Sequence, residues 1–226
     1  MGYHRAGFEV VGVDINPQPH YPFEFHQADA LTYPLEGFDA YHASPPCQAY
    51  SQAFSPLVGH RSEHPDLVAK TLQYLAAANK PFVIENVPGS PMQSHIVLNG
   101  TMFGLKTKKA RLFELHGFEI LLLPGKFANT NGMGKSGQLV GIMQHSCYPN
   151  EIVPNKENLA SAYGIDWVMT RHELRQAISP AYTEFVGRHL MQAFTHTSHP
   201  ECKCGHKKHY GQGCFNENCI CDGIVN

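Results

Sequence analysis

A chain of 226 residues, 42% hydrophobic and only 16% charged, has the make-up of one folded domain with an appendage, and excludes disorder driven by charge. Its formal net charge of −2 excludes a histone-like hold on nucleic acid through a global basic field, so any such contact must be local. No segment approaches the ~20 apolar residues of a membrane span, and no basic segment followed by an apolar one with a cleavage site opens the chain. The expectation is a soluble, unexported, cytoplasmic protein with no membrane partner.

In chain order, residues 1 to 7 read as the last turn of a helix closed by glycine. Val10, Val11, Val13 and Ile15 form a β-branched run that predicts a buried parallel strand with Asp14 at its carboxyl end. A weaker strand is predicted over Phe25 to Ala28, and a third over Phe38 to Ala43. The third ends in the loop Ser44-Pro45-Pro46-Cys47-Gln48, whose prolines keep it out of a sheet interior. Leu67, Val68, Thr71, Leu72, Leu75 and Ala76 share one helical face, predicting a helix from Pro65 to Asn79. Phe82 to Ile84 then gives a buried strand that delivers Glu85-Asn86-Val87. This alternation of strand and helix predicts a parallel α/β sheet.

Residues 116 to 145 change character, with apolar segments at 118 to 123 and 139 to 143 around a Gly-rich loop, and read as a small inserted lobe. Thr170 and Glu173 have capping-box spacing. Tyr182, Phe185, Val186, His189, Leu190 and Ala193 mark an amphipathic helix after Ser179-Pro180, and the core is expected to end near Thr195.

Pro46-Cys47-Gln48 and Glu85-Asn86-Val87 each follow a predicted strand, which puts both at the carboxyl edge of the sheet, where open α/β folds bind ligands. A cysteine in a proline-rich loop is by itself more often a small buried residue than a nucleophile, and a lone Glu-Asn is nearly uninformative. Together they say more. The chain resembles the DNA cytosine-5 methyltransferase family, whose catalytic loop carries Pro-Cys-Gln and whose next strand ends in Glu-Asn-Val. The likeness extends through Asp14, Asp29, the segment Lys109-Ala110-Arg111-Leu112-Phe113-Glu114 and the closing helices, over residues 1 to about 195. The compact lobe is similar to that of small enzymes encoded by bacterial viruses, which would place the protein in a host bacterial cytoplasm.

The resemblance implies a Rossmann-like, S-adenosylmethionine-dependent α/β fold with a catalytic core over 1-115, a target-recognition lobe over 116-145, and helices completing the core over 146-195. It implies Cys47 as the nucleophile on cytosine C6, Glu85 at N3 and the exocyclic amine, Asn86 holding the loop, and Arg111 on the base or the adduct. Asp14, Ile15, Asp29, Ala30 and Pro46 are implied in holding S-adenosylmethionine, with Pro180-Ala181-Tyr182 loosely matching a further family segment. DNA is the implied partner, its target base extruded from the stack, and no obligate protein partner is evident. Lys106, Lys108, Lys109, Arg111, Lys126 and Lys135 offer a local basic set for phosphates. The family's first strand and glycine-rich cofactor loop should precede Gly2, so the first strand of the sheet is expected to be missing. The alternative function is a catalytically inactive DNA-binding remnant.

Residues 196-226 form a Cys/His-rich tail. Cys202, Cys204, Cys214, Cys219 and Cys221, with His206 and His209, supply ligands enough for a tetrahedral zinc site, although Cys-x-Cys is a tighter bite than the usual zinc knuckle. Tail disulfides and an unstructured reactive tail are the other readings. His42, His95 and His145 lack ligand spacing and read as surface or hydrogen-bonded residues.

Overall fold

The structure is a computed structural model that describes residues 1–47, 50, 66–121 and 155–197. The chain divides into two units, Met1–Met191 and Gln192–Asn226. The fold of the first is α/β.

The opening turn, α1 (Gly2–Arg5), closes as expected on glycine: the Phe8 N–H donates to Tyr3 C=O at 3.1 Å and the Gly7 N–H to His4 C=O at 3.0 Å, with Gly7 at φ +102°. Next come β1 (Val11–Asp14) and β2 (Glu24–Gln27), a parallel pair with Val11 opposite Glu24. The expected burial of β1 does not hold. All four of its residues are half-buried and Ile15 is 64% exposed; the Tyr21 ring packs over Gly12.

A separate four-stranded sheet has the order β3-β4-β6-β5, built from β3 (Tyr41–Ala43), β4 (Phe82–Asn86), β5 (His95–Leu98) and β6 (Arg111–His116). β3 and β4 are parallel, whereas β6 runs antiparallel to both β4 and β5. The expectation of a wholly parallel sheet is therefore corrected. Between β5 and β6 the chain makes only a 3₁₀ turn, Gly100–Phe103, and no crossover helix that would return it to the starting edge. The strand at 82 also runs further than predicted, so Glu85 and Asn86 are its last two residues and pair with Phe113 and Leu112.

Helices cover both faces of this sheet. From one side, α2 (Val68–Ala76) presents Val68, Thr71 and Leu75 to Phe82, Ile84 and Leu112. Its first turn starts three residues later than predicted, at the Asp66 side chain, whose carboxylate accepts from the Val68 N–H at 3.1 Å. On the other side, α5 (Pro180–Thr197) packs Tyr182 and Val186 on Val83, Leu98 and Phe113. Between these come α3 (Lys156–Tyr163) and α4 (Arg171–Gln176), which share a core of Leu159, Tyr163, Ile165 and Leu174. The Thr170–Glu173 capping box forms as its spacing required. Two glycines let α1 dock on α5. A Cβ on Gly187 would stand 2.9 Å from the Tyr3 ring, and one on Gly2 would overlap Thr183.

Candidate active site

Strand parity decides which side chains meet. In β4, Phe82 and Ile84 face α2, so Val83 and Glu85 face α1 and α5. His42 pairs with Val83 in the parallel ladder and shares its face; Ser44 continues that alternation beyond β3. Phe113 pairs with Glu85, and Arg111 lies two residues along β6 on the same side. Tyr3 reaches this face from α1.

Glu85 is 4% exposed, and Arg111 Nε lies 3.0 Å from its Oε1. That approach is close but poorly aligned: Oε1 is buried and accepts no well-formed hydrogen bond among the described residues. The Arg111 Nη1 is spent on the Ala110 carbonyl at 2.8 Å. Burial pushes the Glu85 carboxyl above its ordinary range; the Arg111 charge, the neighbouring Ser44 hydroxyl and the Lys109 charge pull the other way. The site thus holds a buried carboxyl group whose pKa burial raises, with one oxygen that accepts no well-formed hydrogen bond among the described residues.

The Asn86 side chain ties the cysteine loop to this strand. Its Nδ2 donates to Pro45 C=O at 3.1 Å, and its Oδ1 accepts from the Val87 N–H at 2.8 Å. Cys47, a half-buried free thiol, follows Pro45 by two residues, and its carbonyl accepts from the Tyr50 N–H at 3.0 Å. Lys109 registers both groups: charge on either Glu85 or Cys47 favours its protonated form. Gln48 lies outside the described residues.

Lys109 corrects one expectation. Rather than offering its charge to phosphate, it is 3% exposed, donates to the Arg175 and Ala177 carbonyls, and sits 4.3 Å from the centre of the Tyr163 ring. Burial holds it well below the ordinary lysine range, and Arg111 adds to that. Arg111 likewise faces inward. Lys106 and Lys108 are exposed, whereas Lys126 and Lys135 lie outside the described residues. Tyr182, in the segment loosely matched to a further family motif, is fully buried and donates to Lys109 C=O at 2.8 Å.

At the carboxyl edge of the β1–β2 pair, Asp14 Oδ1 accepts from the Asn16 N–H at 2.8 Å and Asp29 Oδ1 from the Leu31 N–H at 2.9 Å. One oxygen of each is thus engaged locally among the described residues. Ile15 and Ala30 beside them are exposed, as is Pro46 on the cysteine loop. Two carboxylates next to an uncovered apolar side chain fit the hydroxyls and flat ring of an adenosine. No group of three or more metal-ligating side chains occurs among the described residues, and Cys202, Cys204, Cys214, Cys219 and Cys221 lie outside them. Among the described residues no helix is long and apolar enough to cross a membrane.

Three residues that sequence reasoning did not assign to the site lie on the sheet face that Glu85 shares. The Tyr3 hydroxyl and His42 Nδ1 are 2.8 Å apart, and His42 Nε2 and Ser44 Oγ are 3.1 Å apart. The signal available was the period of two: His42 and Ser44 alternate into the same face as Glu85 once their strands are paired. No protein-family model matches the chain. No curated protein matches it either.

Proposed function

We propose that this chain is a Rossmann-like methyltransferase that places a methyl group on C5 of cytosine in DNA. The reading rests on Pro-Cys-Gln and Glu-Asn-Val together. The observation that carries it is the hydrogen bond from Asn86 to the Pro45 carbonyl, which fastens the Cys47 loop to the strand that carries Glu85. A thiol on the loop that follows β3 and a carboxyl near the end of the adjoining parallel strand β4 are what addition to a pyrimidine ring needs.

The Cys47 thiolate forms a bond to C6 while the C5–C6 π pair shifts toward C5, and Glu85 hydrogen-bonds or protonates N3 as negative charge develops there. Arg111 keeps Glu85 oriented and offsets its charge between turnovers. S-adenosylmethionine supplies the electrophilic methyl carbon, and Asp14, Ile15, Asp29, Ala30 and Pro46 would hold it. Loss of the C5 proton then restores the double bond, the Sγ–C6 bond breaks, and Cys47 is free again. Because C6 is shielded inside a stacked duplex, the base must be turned out, at a cost of a few kcal/mol.

Transfer of a labelled methyl group into DNA tests the reading. Wild-type protein labels cytosine C5, Cys47→Ser abolishes labelling while still binding DNA, and Glu85→Gln lowers the rate about 10²- to 10³-fold, the size of a lost charge-stabilising contact. Equal labelling by Cys47→Ser would remove the mechanism.

A further inference from the structure

Helix α4 has six residues, about 9 Å of length at 1.5 Å per residue, and a side chain from a different part of the chain holds each of its ends. At the amino end, Glu173 Oε1 lies 2.9 Å from Nδ1 of His20, in the loop between β1 and β2. At the carboxyl end, the Arg175 and Ala177 carbonyls accept from Lys109 Nζ, the first at 3.0 Å. We propose that α4 is a strut that fixes the β1–β2 loop relative to the Arg111–Glu85 pair, with His20, Glu173 and Lys109 as its positioning residues. The catalytic consequence rests on the reading of Asp14 and Ile15 as the adenosine side of the site and of Glu85 as its base side.

The links are continuous across one helical turn. Glu173 is ionised at neutral pH, so both oxygens accept: Oε1 from the His20 Nδ1–H, and Oε2 from the Thr170 N–H that closes the capping box. The Glu173 carbonyl accepts from the Ala177 N–H at 2.8 Å, and the Ala177 carbonyl accepts from Lys109. Packing holds the helix against sliding. Leu174 is buried with Leu159, Tyr163 and Ile165, and Lys109 Nζ stands 4.3 Å from the centre of that same Tyr163 ring. Lys109 precedes Arg111 by two residues, and its own carbonyl accepts from the Tyr182 hydroxyl at 2.8 Å. The far end of the strut is therefore anchored where β6 begins.

At the near end, His20 lies on the crown of a loop that opens on Ile15. The Tyr21 N–H donates to Gln18 C=O at 3.0 Å, turning the chain at His20, and the Tyr21 ring packs over Gly12 of β1. Gln27 Nε2 donates to Ile15 C=O at 3.1 Å. The feet of the loop thus belong to the β1–β2 pair, and its crown to α4.

Hydrogen–deuterium exchange on the full chain reads the strut, with the amides of β4 as the reference for global opening. His20→Ala raises exchange over residues 15 to 23 about three- to tenfold, the size of one hydrogen bond. His20→Asn, whose amide donates from the place of Nδ1, restores it. Lys109→Met raises exchange in the same loop, although Lys109 holds the opposite end of the helix. The double variant His20→Ala/Lys109→Met goes no further than the larger single effect, because the links act in series. Lys109→Gln, one bond shorter and uncharged, gives a smaller rise and stands in where Lys109→Met does not fold. Calorimetry with S-adenosylmethionine follows the same order: His20→Ala binds about three- to tenfold more weakly, because the ligand must reorder the loop, and His20→Asn binds as wild type does.

Loop exchange that is unchanged in His20→Ala, or that rises there but in neither Lys109 variant, overturns the strut, as do His20 and Lys109 effects that add. Exchange that moves while affinity stays fixed overturns its catalytic consequence. If exchange moves as expected and wild-type protein binds no S-adenosylmethionine, the strut stands and the methyltransferase reading fails. If wild type binds and His20→Ala alters neither exchange nor affinity, the reverse holds.

Discussion

Arg111 Nε stands 3.0 Å from Glu85 Oε1, with the two side chains 15% and 6% exposed, so the charge of each is compensated by the other inside the protein. Arg111→Ala leaves a buried carboxylate unpaired and is expected to cost about 3–5 kcal/mol in urea denaturation at pH 7. Glu85→Gln keeps the shape and costs less. Burial raises the folded-state pKa of Glu85, so its proton stabilises the fold below the ordinary carboxylate value, and that stability is lost as pH rises through the folded value. The stability of Glu85→Gln relative to wild type therefore improves from acid toward neutral pH.

Lys109 should leave the opposite signature. Its folded-state pKa is lowered by burial, so above that value the unfolded chain binds the proton more readily, and stability rises with pH up to the ordinary lysine value of 10.5. Lys109→Met removes this slope. It also strands the Arg175 and Ala177 carbonyls and is expected to cost about 1–3 kcal/mol for each one left without a partner, read from denaturation curves across the alkaline range.

Glu173 closes the capping box of α4 and contacts His20, its Oε1 lying 2.9 Å from His20 Nδ1. Burial alone would raise its pKa, but its contacts with His20 and Thr170, the Thr170 N–H donating to Oε2 among them, outweigh that and lower it to about 2. Its stabilisation is present above the ordinary value of 4.5 and is lost as pH falls toward 2. Glu173→Ala should cost about 1 kcal/mol at pH 7, with the gap to wild type narrowing through that acid window.

Gly187 permits the contact between α5 and α1. In Gly187→Ala the new methyl meets the Tyr3 ring and Ala6 Cβ, each at 2.9 Å, and α1 has to shift. A loss of about 1–3 kcal/mol is expected. Displacement of the Tyr3 hydroxyl from His42 should show as a changed imidazole chemical shift.

Local signals were legible in the sequence. The Gly7 closure, the Thr170–Glu173 box and the apolar face of α2 depend on neighbours within one turn, and residue types report them directly. The β5–β6 hairpin was not legible. Residues 95 to 98 are short and mixed, and β6 owes its place to pairing with β4, a contact between segments some 30 residues apart in the chain. Lys109 looked like one more surface cation because nothing local reveals the two carbonyls, over 60 residues away, that receive its protons. Cys47 and Glu85 drew attention as motif members, whereas Tyr3, His42 and Ser44 gain meaning only when strand pairing gives them a common face.

Covalent capture tests the central claim most directly. Incubated with S-adenosylmethionine and a duplex carrying 5-fluorocytosine, the protein is expected to form an adduct that survives denaturing electrophoresis, because fluorine at C5 blocks the proton loss that would release the cysteine. The adduct should map to Cys47, disappear in Cys47→Ser and form more slowly in Glu85→Gln. An adduct of equal yield in Cys47→Ser, or one mapped to another residue, would contradict the account.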